Sequence, residues 1–463
     1  MHDRARKRRR LLRRPGSDRT GRLLRRRRLR QDAGQGWVRL QQLRKGERGR
    51  ASAMTTLATS DTSPAPAAGI GLILALGVTQ VAGYGALYYA FAVLAPGMTK
   101  SLGWAPEWTY GGFALGLLAG GLAAPFAGRL IDRYGTRRMM SIGSVLASLS
   151  LFALSRAEGL VSYYAAMIAL EVVSTLVLYD AAFTALTQAH GAGARRAISK
   201  LTLIGGFAST LFWPLTTALL VQADWRTIYQ IYALGYLVLA LPLHAFLLPR
   251  SGAASLAKPA RPSETSKPDG YLAGPARQRA FVLLAIAFSL QGFVISTMSV
   301  HMLTLLQGLG FSAALAVTFG AMVGPSQVTG RLIEMLFGTN VPPVTTAWVS
   351  GALMPLGFIL LAFASGTAAL AGLFAIAYGI SMGLSSIVRG TVPLQLFGPA
   401  GYGAMLGKLS APGLAIRAAA PLAFAVMLER AGLAASTVVL VALSAAAALA
   451  LLMLARDVGR ARS

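Results

Sequence analysis

From about residue 70 onward the chain repeats one pattern: apolar runs long enough to cross a lipid bilayer, separated by short polar breaks. A spanning helix needs about 20 mostly apolar residues. Such runs lie near 70–94, 107–129, 139–155, 160–187, 202–222 and 227–248. A second set lies near 281–304, 311–333, 345–365, 368–394, 410–428 and 432–455. In hydrocarbon every backbone amide must find its partner inside the segment, so the runs predict helices. Barrel strands would be shorter and would alternate in polarity. Only 13% of the residues are charged, against about 25% in a soluble protein. The expectation is an all-α membrane protein with twelve transmembrane helices in two six-helix bundles.

Several chemistries are excluded by residue type. The chain has no cysteine, which removes disulfides, thiolate catalysis and cysteine-ligated metals. Its four histidines, His2, His190, His244 and His301, have no metal-site spacing. No phosphate-binding Gly-x-x-x-x-Gly-Lys-Ser/Thr segment occurs, and no nucleophile–base cluster marks an enzyme. No cofactor and no metal are expected.

The net charge of +28 is unevenly placed. Residues 1–53 hold 20 Lys+Arg and 4 Asp+Glu with no apolar periodicity. That segment reads as an arginine-rich arm, a targeting peptide, or sequence upstream of a true start at Met54, the reading preferred here. Nucleic acid is not an expected partner, because the remaining positive charge falls mostly in loops. The divisions are a disordered tail at 1–68, a first bundle at 69–248, and a cytoplasmic linker at 249–280. A second bundle follows at 281–456 and a tail at 457–463. With the N-terminus cytoplasmic, inside loops and tail carry 18 Lys+Arg, Arg331 among them, and outside loops carry four. This is the positive-inside asymmetry.

Two short segments tie the halves together. GRLIDRYGTRR spans Gly128 to Arg138, and GRLIE recurs at Gly330 to Glu334. Lys200-Leu201-Thr202 is echoed by Lys408-Leu409-Ser410, Gly205 by Gly413 and Gln80 by Gln291. With Asp224-Trp225-Arg226 ahead of the sixth helix, this pattern resembles the major facilitator superfamily over nearly all of residues 69–456. The resemblance implies two pseudo-symmetric bundles and rocker-switch alternating access. It also implies a conformational latch made by Gly128, Asp132, Arg133, Gly135, Arg137 and Arg138. Asp132 would face the three arginines or a neighbouring helix end. Thr136 departs from the family's basic residue. Glu334 lacks the trailing arginine pair, so the latch role is not carried to it. Helix 1 is similar to that of bacterial monocarboxylate permeases, while the antiporter signatures of helices 4 and 5 are absent.

Helix 2 carries Gly112, Gly116, Gly120, Ala124 and Gly128 at four-residue spacing, a packing stripe expected where the halves slide. Four charges lie deep within apolar runs, where each costs at least about 2.5–3.5 kcal/mol. They are Glu171, Asp180, Arg389 and Arg417. Glu171 is a candidate for taking up and releasing a proton, or for a packing hydrogen bond. Asp180 and Arg389 occupy matching places in helices 4 and 10, which predicts an ion pair or a substrate-bridged pair, or two wet end residues. On one unbroken helix Asp180 would lie half a turn from Glu171. Arg417 has the fork for an oxyanion, or for pairing with one of the acids. Gln80, Tyr84 and Tyr88 share a helical face and, with Gln291, are candidates to line a cavity. His301 reads as an interfacial residue.

The functional expectation is a secondary transporter in the bacterial cytoplasmic membrane, both termini cytoplasmic. It would be a monomer that moves a small organic anion with protons, a symporter. Efflux of a drug or toxic ion, and a transporter-like sensor without flux, are the competing readings.

Overall fold

The computed structural model describes residues 69–249 and 272–460. The basic tail and most of the linker lie outside the described residues. Among the described residues every regular element is helical, and twelve spans can be traced. They are α1 (Ile70–Leu102), α2 (Pro106–Tyr134), α3 (Thr136–Ser155), α4 (Leu160–His190), α5 (Arg195–Leu220) and α6 (Trp225–Leu247). Then come α7 (Gly274–Gly308), α8 (Ala313–Phe337), α9 (Pro343–Ala362) and α10 (Ala368–Phe397). The last helical stretch, Tyr402–Arg460, bends at Gly432, where φ is +78°, and so forms two helices, α11 (402–431) and α12 (433–460). Among the described residues ten helices are long and apolar enough to cross a membrane, the last stretch counted once. The exception, α8, carries Ser326, Gln327, Arg331 and Glu334 along its 25 residues.

Helix ends outrun the apolar runs. α5 begins at Arg195 rather than near 202, α7 at Gly274 rather than near 281, and the α11 segment at Tyr402 rather than near 410. Hydropathy marks the lipid-embedded portion of a helix, whereas hydrogen bonding continues into its polar turns.

Several helices depart from regular α geometry. In α4 the hydroxyls of Ser174 and Thr175 donate back to the carbonyls of Leu170 (2.8 Å) and Val172 (2.6 Å). Such back-bonding competes with the helix. The ladder lapses over 175–178 and restarts at Tyr179 with extended Leu178 as its cap. α5 breaks at Gly205-Gly206 and resumes at Ala208. α1 winds as a π-helix from Tyr84 to Tyr89. The half-turn separation expected of Glu171 and Asp180 does not apply, because the break in α4 lies between them.

The Asp224-Trp225-Arg226 triplet fixes one corner of the first bundle. Asp224 caps α6 by accepting from the Thr227 amide (2.8 Å). Trp225 donates Nε1 to Ser101 at the end of α1 (2.6 Å). Arg226 donates to the Ser155 carbonyl that ends α3 (2.9 Å). Deeper in the same bundle His244 is fully buried on α6. Its ring nitrogens meet Ser144 of α3 (2.7 Å) and Thr79 of α1 (3.0 Å).

The apolar packing has a directional pattern. At the end bearing the Gly135 turn, here the motif end, one cluster joins both bundles: Ile131, Phe183 and Ile198 of the first pack with Leu394, Tyr402 and Leu406 of the second. At the opposite end each bundle has its own cluster, with Phe91, Leu151 and Tyr229 in one and Phe358, Phe374 and Phe424 in the other. The halves are therefore sealed together at the motif end.

Candidate functional site

The seal is built first from glycine. Gly135, at φ +85°, makes the tight reversal between α2 and α3 that most residues cannot adopt. Along α2, a Cβ on Gly128 would overlap the Gly403 carbonyl of α11, and a Cβ on Gly407 would overlap the Ala124 carbonyl. These positions let the two backbones touch across the halves. The upper stripe does something else. Gly112 packs on Tyr163, and Gly116 and Gly120 pack on Met167 and Glu171, all within the first bundle. Only the lower part of the stripe, with Gly121 against Leu414, lies between the halves. That narrows the expected sliding surface.

Asp132 uses that approach. Its carboxylate accepts from the backbone amides of Gly403 (3.1 Å) and Ala404 (2.7 Å), at the start of α11. An anion at a helix N-terminus meets unpaired N–H groups and the positive end of the helix dipole. No ion pair forms between Asp132 and Arg133, Arg137 or Arg138 among the described residues. Arg133 stacks on Tyr134 instead (5.3 Å). Thr136 donates to Gln188 of α4 (3.0 Å), binding the turn to its own bundle.

The second motif copy also reaches the opposite half. Glu334 of α8 pairs with Arg195 (3.1 Å) and accepts from Ser199 (2.9 Å), both on the first turns of α5. Arg195 also donates to the Gly338 carbonyl (2.7 Å). The missing arginine pair is immaterial here, because the cation comes from the other half.

Further inside, Asp180, Arg389 and Ser410 form a closed ring. Arg389 Nη2 donates to Asp180 Oδ2 (3.2 Å) and to Ser410 Oγ (2.8 Å), and Ser410 donates to Asp180 Oδ2 (2.5 Å). Asp180 sits in the first turn of the restarted α4 segment. Its Oδ1 is buried without a partner.

Glu171 is buried, and its Oε1 has no hydrogen-bond partner. No ion pair joins it to Arg417 among the described residues. The Arg417 stem crosses α7 at Gly292, where a Cβ would lie 3.0 Å away. Its guanidinium has no hydrogen bond among the described residues.

The α1 face differs from the expected one. Gln80 is fully buried and donates to the Val177 carbonyl freed by the break in α4 (2.8 Å). In the π segment the ring of Tyr84 meets Tyr179 (4.7 Å) and Tyr89 (6.3 Å). Tyr88 turns to Phe113 of α2 (5.6 Å). A π turn puts residues five apart, not four, on one face, so Tyr89 takes the place assigned to Tyr88. Gln291 is buried with Nε2 unpartnered. His301 bonds the Pro421 carbonyl (2.9 Å) and tilts against Phe424 (5.3 Å), joining α7 to α11.

Arg331 was misread. Counted with the inside loops, it is instead a buried residue of α8, 5% exposed. It donates Nε to Ser386 (3.0 Å) and Nη2 to Gln327 (3.3 Å), while Nη1 has no partner. Two signals could have found it: the polar Ser326-Gln327 pair one turn before it, and Gly206, where a Cβ would overlap its Nη1. Toward the other end, Ser209, Thr210, Trp213 and Thr217 of α5 line an open depression of about 680 Å³. Among the described residues no group of three or more His, Asp or Glu could hold a metal ion.

A two-bundle helical membrane protein, closed at one end and carrying ionisable groups between its halves, is built as a solute transporter rather than as an enzyme. The sequence profile of the Major Facilitator Superfamily matches residues 76–411, and the chain belongs to that superfamily. Two solved structures share the fold. The human organic anion transporter MFSD10 (TETRAN) is 16% identical, with a TM-score of 0.66 over 82% of this chain and 99% of that one. The proton:xylose symporter XylE, bound to 6-bromo-6-deoxy-D-glucose, is 14% identical, with a TM-score of 0.61 over 81% and 94%. No curated protein matches the sequence.

Proposed function

We propose that this protein carries a small organic anion together with protons through a bacterial inner membrane, as a monomer with both termini cytoplasmic. The halves rock about the central site, and the motif end is the cytoplasmic gate. One observation carries the reading: Glu171 is buried on α4 with its Oε1 unpartnered, and Arg417 on α11 of the other half makes no ion pair with it among the described residues. A guanidinium without a carboxylate suits an anionic solute. A lone buried carboxyl group suits proton exchange, because its charged form is expensive at that depth. MFSD10 is described as an organic anion transporter and XylE as a proton:xylose symporter. The same fold serves both, so the anion is argued from Arg417 rather than from either likeness.

The gate gives the coupling a physical form. Asp132 and Glu334 each hold a helix start of the opposite half. Breaking both frees the motif end, while the Asp180–Arg389–Ser410 ring forms the inner floor. The test is uptake of a labelled carboxylate into proteoliposomes. Glu171→Gln should abolish accumulation driven by a pH gradient and spare exchange of internal for external solute. If neither changes, Glu171 has no part in the mechanism.

A further inference from the structure

The two motif copies place an arginine at the same point, Arg129 after Gly128 and Arg331 after Gly330. The fold treats the two oppositely. Arg331 is turned inward and buried on α8. Arg129 is exposed on α2, and so is Arg133 one turn later. Neither of the α2 arginines enters an ion pair among the described residues. Asp132, the acid of the same turn, is committed to the amides of Gly403 and Ala404. Like charges four residues apart on a helix destabilise it, so an anion between Arg129 and Arg133 would be favourable.

Each guanidinium sits over an aromatic ring. Cζ of Arg129 lies 4.4 Å from the centre of the Phe126 ring, and Cζ of Arg133 lies 5.3 Å from that of Tyr134. Stacking engages the face of the fork and leaves its N–H edge free for an oxyanion. The same side of α2 continues toward the membrane interior as an apolar strip. Leu122, Phe126, Arg129 and Arg133 fall within about 60° around the helix axis. Leu122, Phe126 and the flanking Leu130 are exposed, as side chains facing acyl chains are. Tyr134 stands at the end of the strip, where an exposed tyrosine marks the water interface of a membrane helix. Paired forks at that level, above a lipid-facing strip, match the phosphate of an anionic phospholipid.

We infer that α2 carries a seat for one anionic phospholipid, its phosphate held by Arg129 and Arg133 and its chains along Leu122, Phe126 and Leu130. The seat is independent of the solute reading. A headgroup there braces the helix end whose Asp132 grips α11.

The test places the full chain in phosphatidylcholine nanodiscs with a small fraction of a phospholipid brominated high on its acyl chains. Because the chain has no cysteine, a fluorophore can be put on Leu130→Cys alone. The comparison is Leu332→Cys, also exposed and at the matching place of the second copy, where the arginine is buried. Brominated phosphatidylglycerol should quench the first label several-fold more than brominated phosphatidylcholine does, and the second label should show no such excess. Arg129→Gln with Arg133→Gln should abolish the excess. Phe126→Ala with Tyr134→Ala keeps both charges but removes the rings that orient the forks, so it should reduce the excess too. Arg196→Gln with Lys200→Gln removes the same charge from exposed positions at the same end and should leave it intact. No excess, an equal excess at Leu332→Cys, or an excess that survives loss of Arg129 and Arg133 or of both rings would overturn the seat. So would an equal loss in the Arg196→Gln, Lys200→Gln protein, which would mean diffuse attraction to a basic surface. Displacement by inorganic phosphate at matched ionic strength would make this a free-anion site instead. Brominated phosphatidylethanolamine quenching as well as phosphatidylglycerol would show that the forks do not select an anionic lipid.

Discussion

The carboxylate of Asp132 lies 2.7 Å from the amide nitrogen of Ala404, bonding the last turn of α2 to the first turn of a helix in the opposite half. Asp132→Asn removes the charge and one of the two acceptor oxygens, so the motif end should open more often. Because the chain has no cysteine, Ala197→Cys in the shared apolar cluster can report this by maleimide labelling. Labelling should be several-fold faster in the Asp132→Asn background. An unchanged rate would mean that the contact does not hold the gate.

The Asp180–Arg389 pair should behave as a unit. Arg389→Ala leaves a half-buried carboxylate facing apolar surroundings, and transport should fail. Adding Asp180→Asn should restore part of it, with a coupling energy of about 1–3 kcal/mol in a double-mutant cycle. Additive losses would show that the 3.2 Å contact is incidental.

Close approach at the seam gives a steric prediction. Gly128→Ala pushes a methyl group into the Gly403 backbone, which cannot swing aside as a side chain can. It should cost about 1–3 kcal/mol and favour the form open at the motif end. Gly97→Ala meets nothing within 4 Å and should be neutral or stabilising by up to about 1 kcal/mol. Equal midpoints for the two variants would contradict the tight α2–α11 contact.

Much of this architecture was legible in the sequence, because lipid enforces length and apolarity so strictly that each run announces a helix. The Gly128–Arg138 turn was legible because a basic, glycine-bearing break between two runs has few uses. What escaped were local departures from the regular helix. Back-bonding by Ser174 and Thr175 interrupts α4, and hydropathy is blind to it. The π turn moves Tyr89 into the place that four-residue spacing gave to Tyr88. Arg331 closes an apolar run, and a charge there reads as a loop until Gly206 is seen to make room for it. Glu334 lacks the trailing arginine pair, and its partner Arg195 lies 139 residues away in sequence. His244 carried no motif; only the fold brings Thr79 and Ser144 to its ring.

Asp224 offers a pH test outside the membrane. The Thr227 amide and hydroxyl hold its carboxyl below the usual carboxylate range. A depressed native value means that the ionised cap contributes stability above the unfolded pKa of about 3.9, and that this contribution fades as the pH falls through the native value. Asp224→Ala should cost about 1 kcal/mol at pH 7. The gap between the two proteins should narrow in thermal unfolding below about pH 4. A gap that holds constant to pH 3 would contradict the cap.

Alternating access is tested most directly by two spin-label distances. One pair, Arg196→Cys with Lys408→Cys, spans the halves at the motif end; the other, Glu158→Cys with Glu429→Cys, spans them at the opposite end. All four positions are exposed. In pulsed dipolar measurements Asp132→Asn should lengthen the first distance and shorten the second. Distances that stay fixed, or that lengthen together, would contradict two halves rocking about a central site.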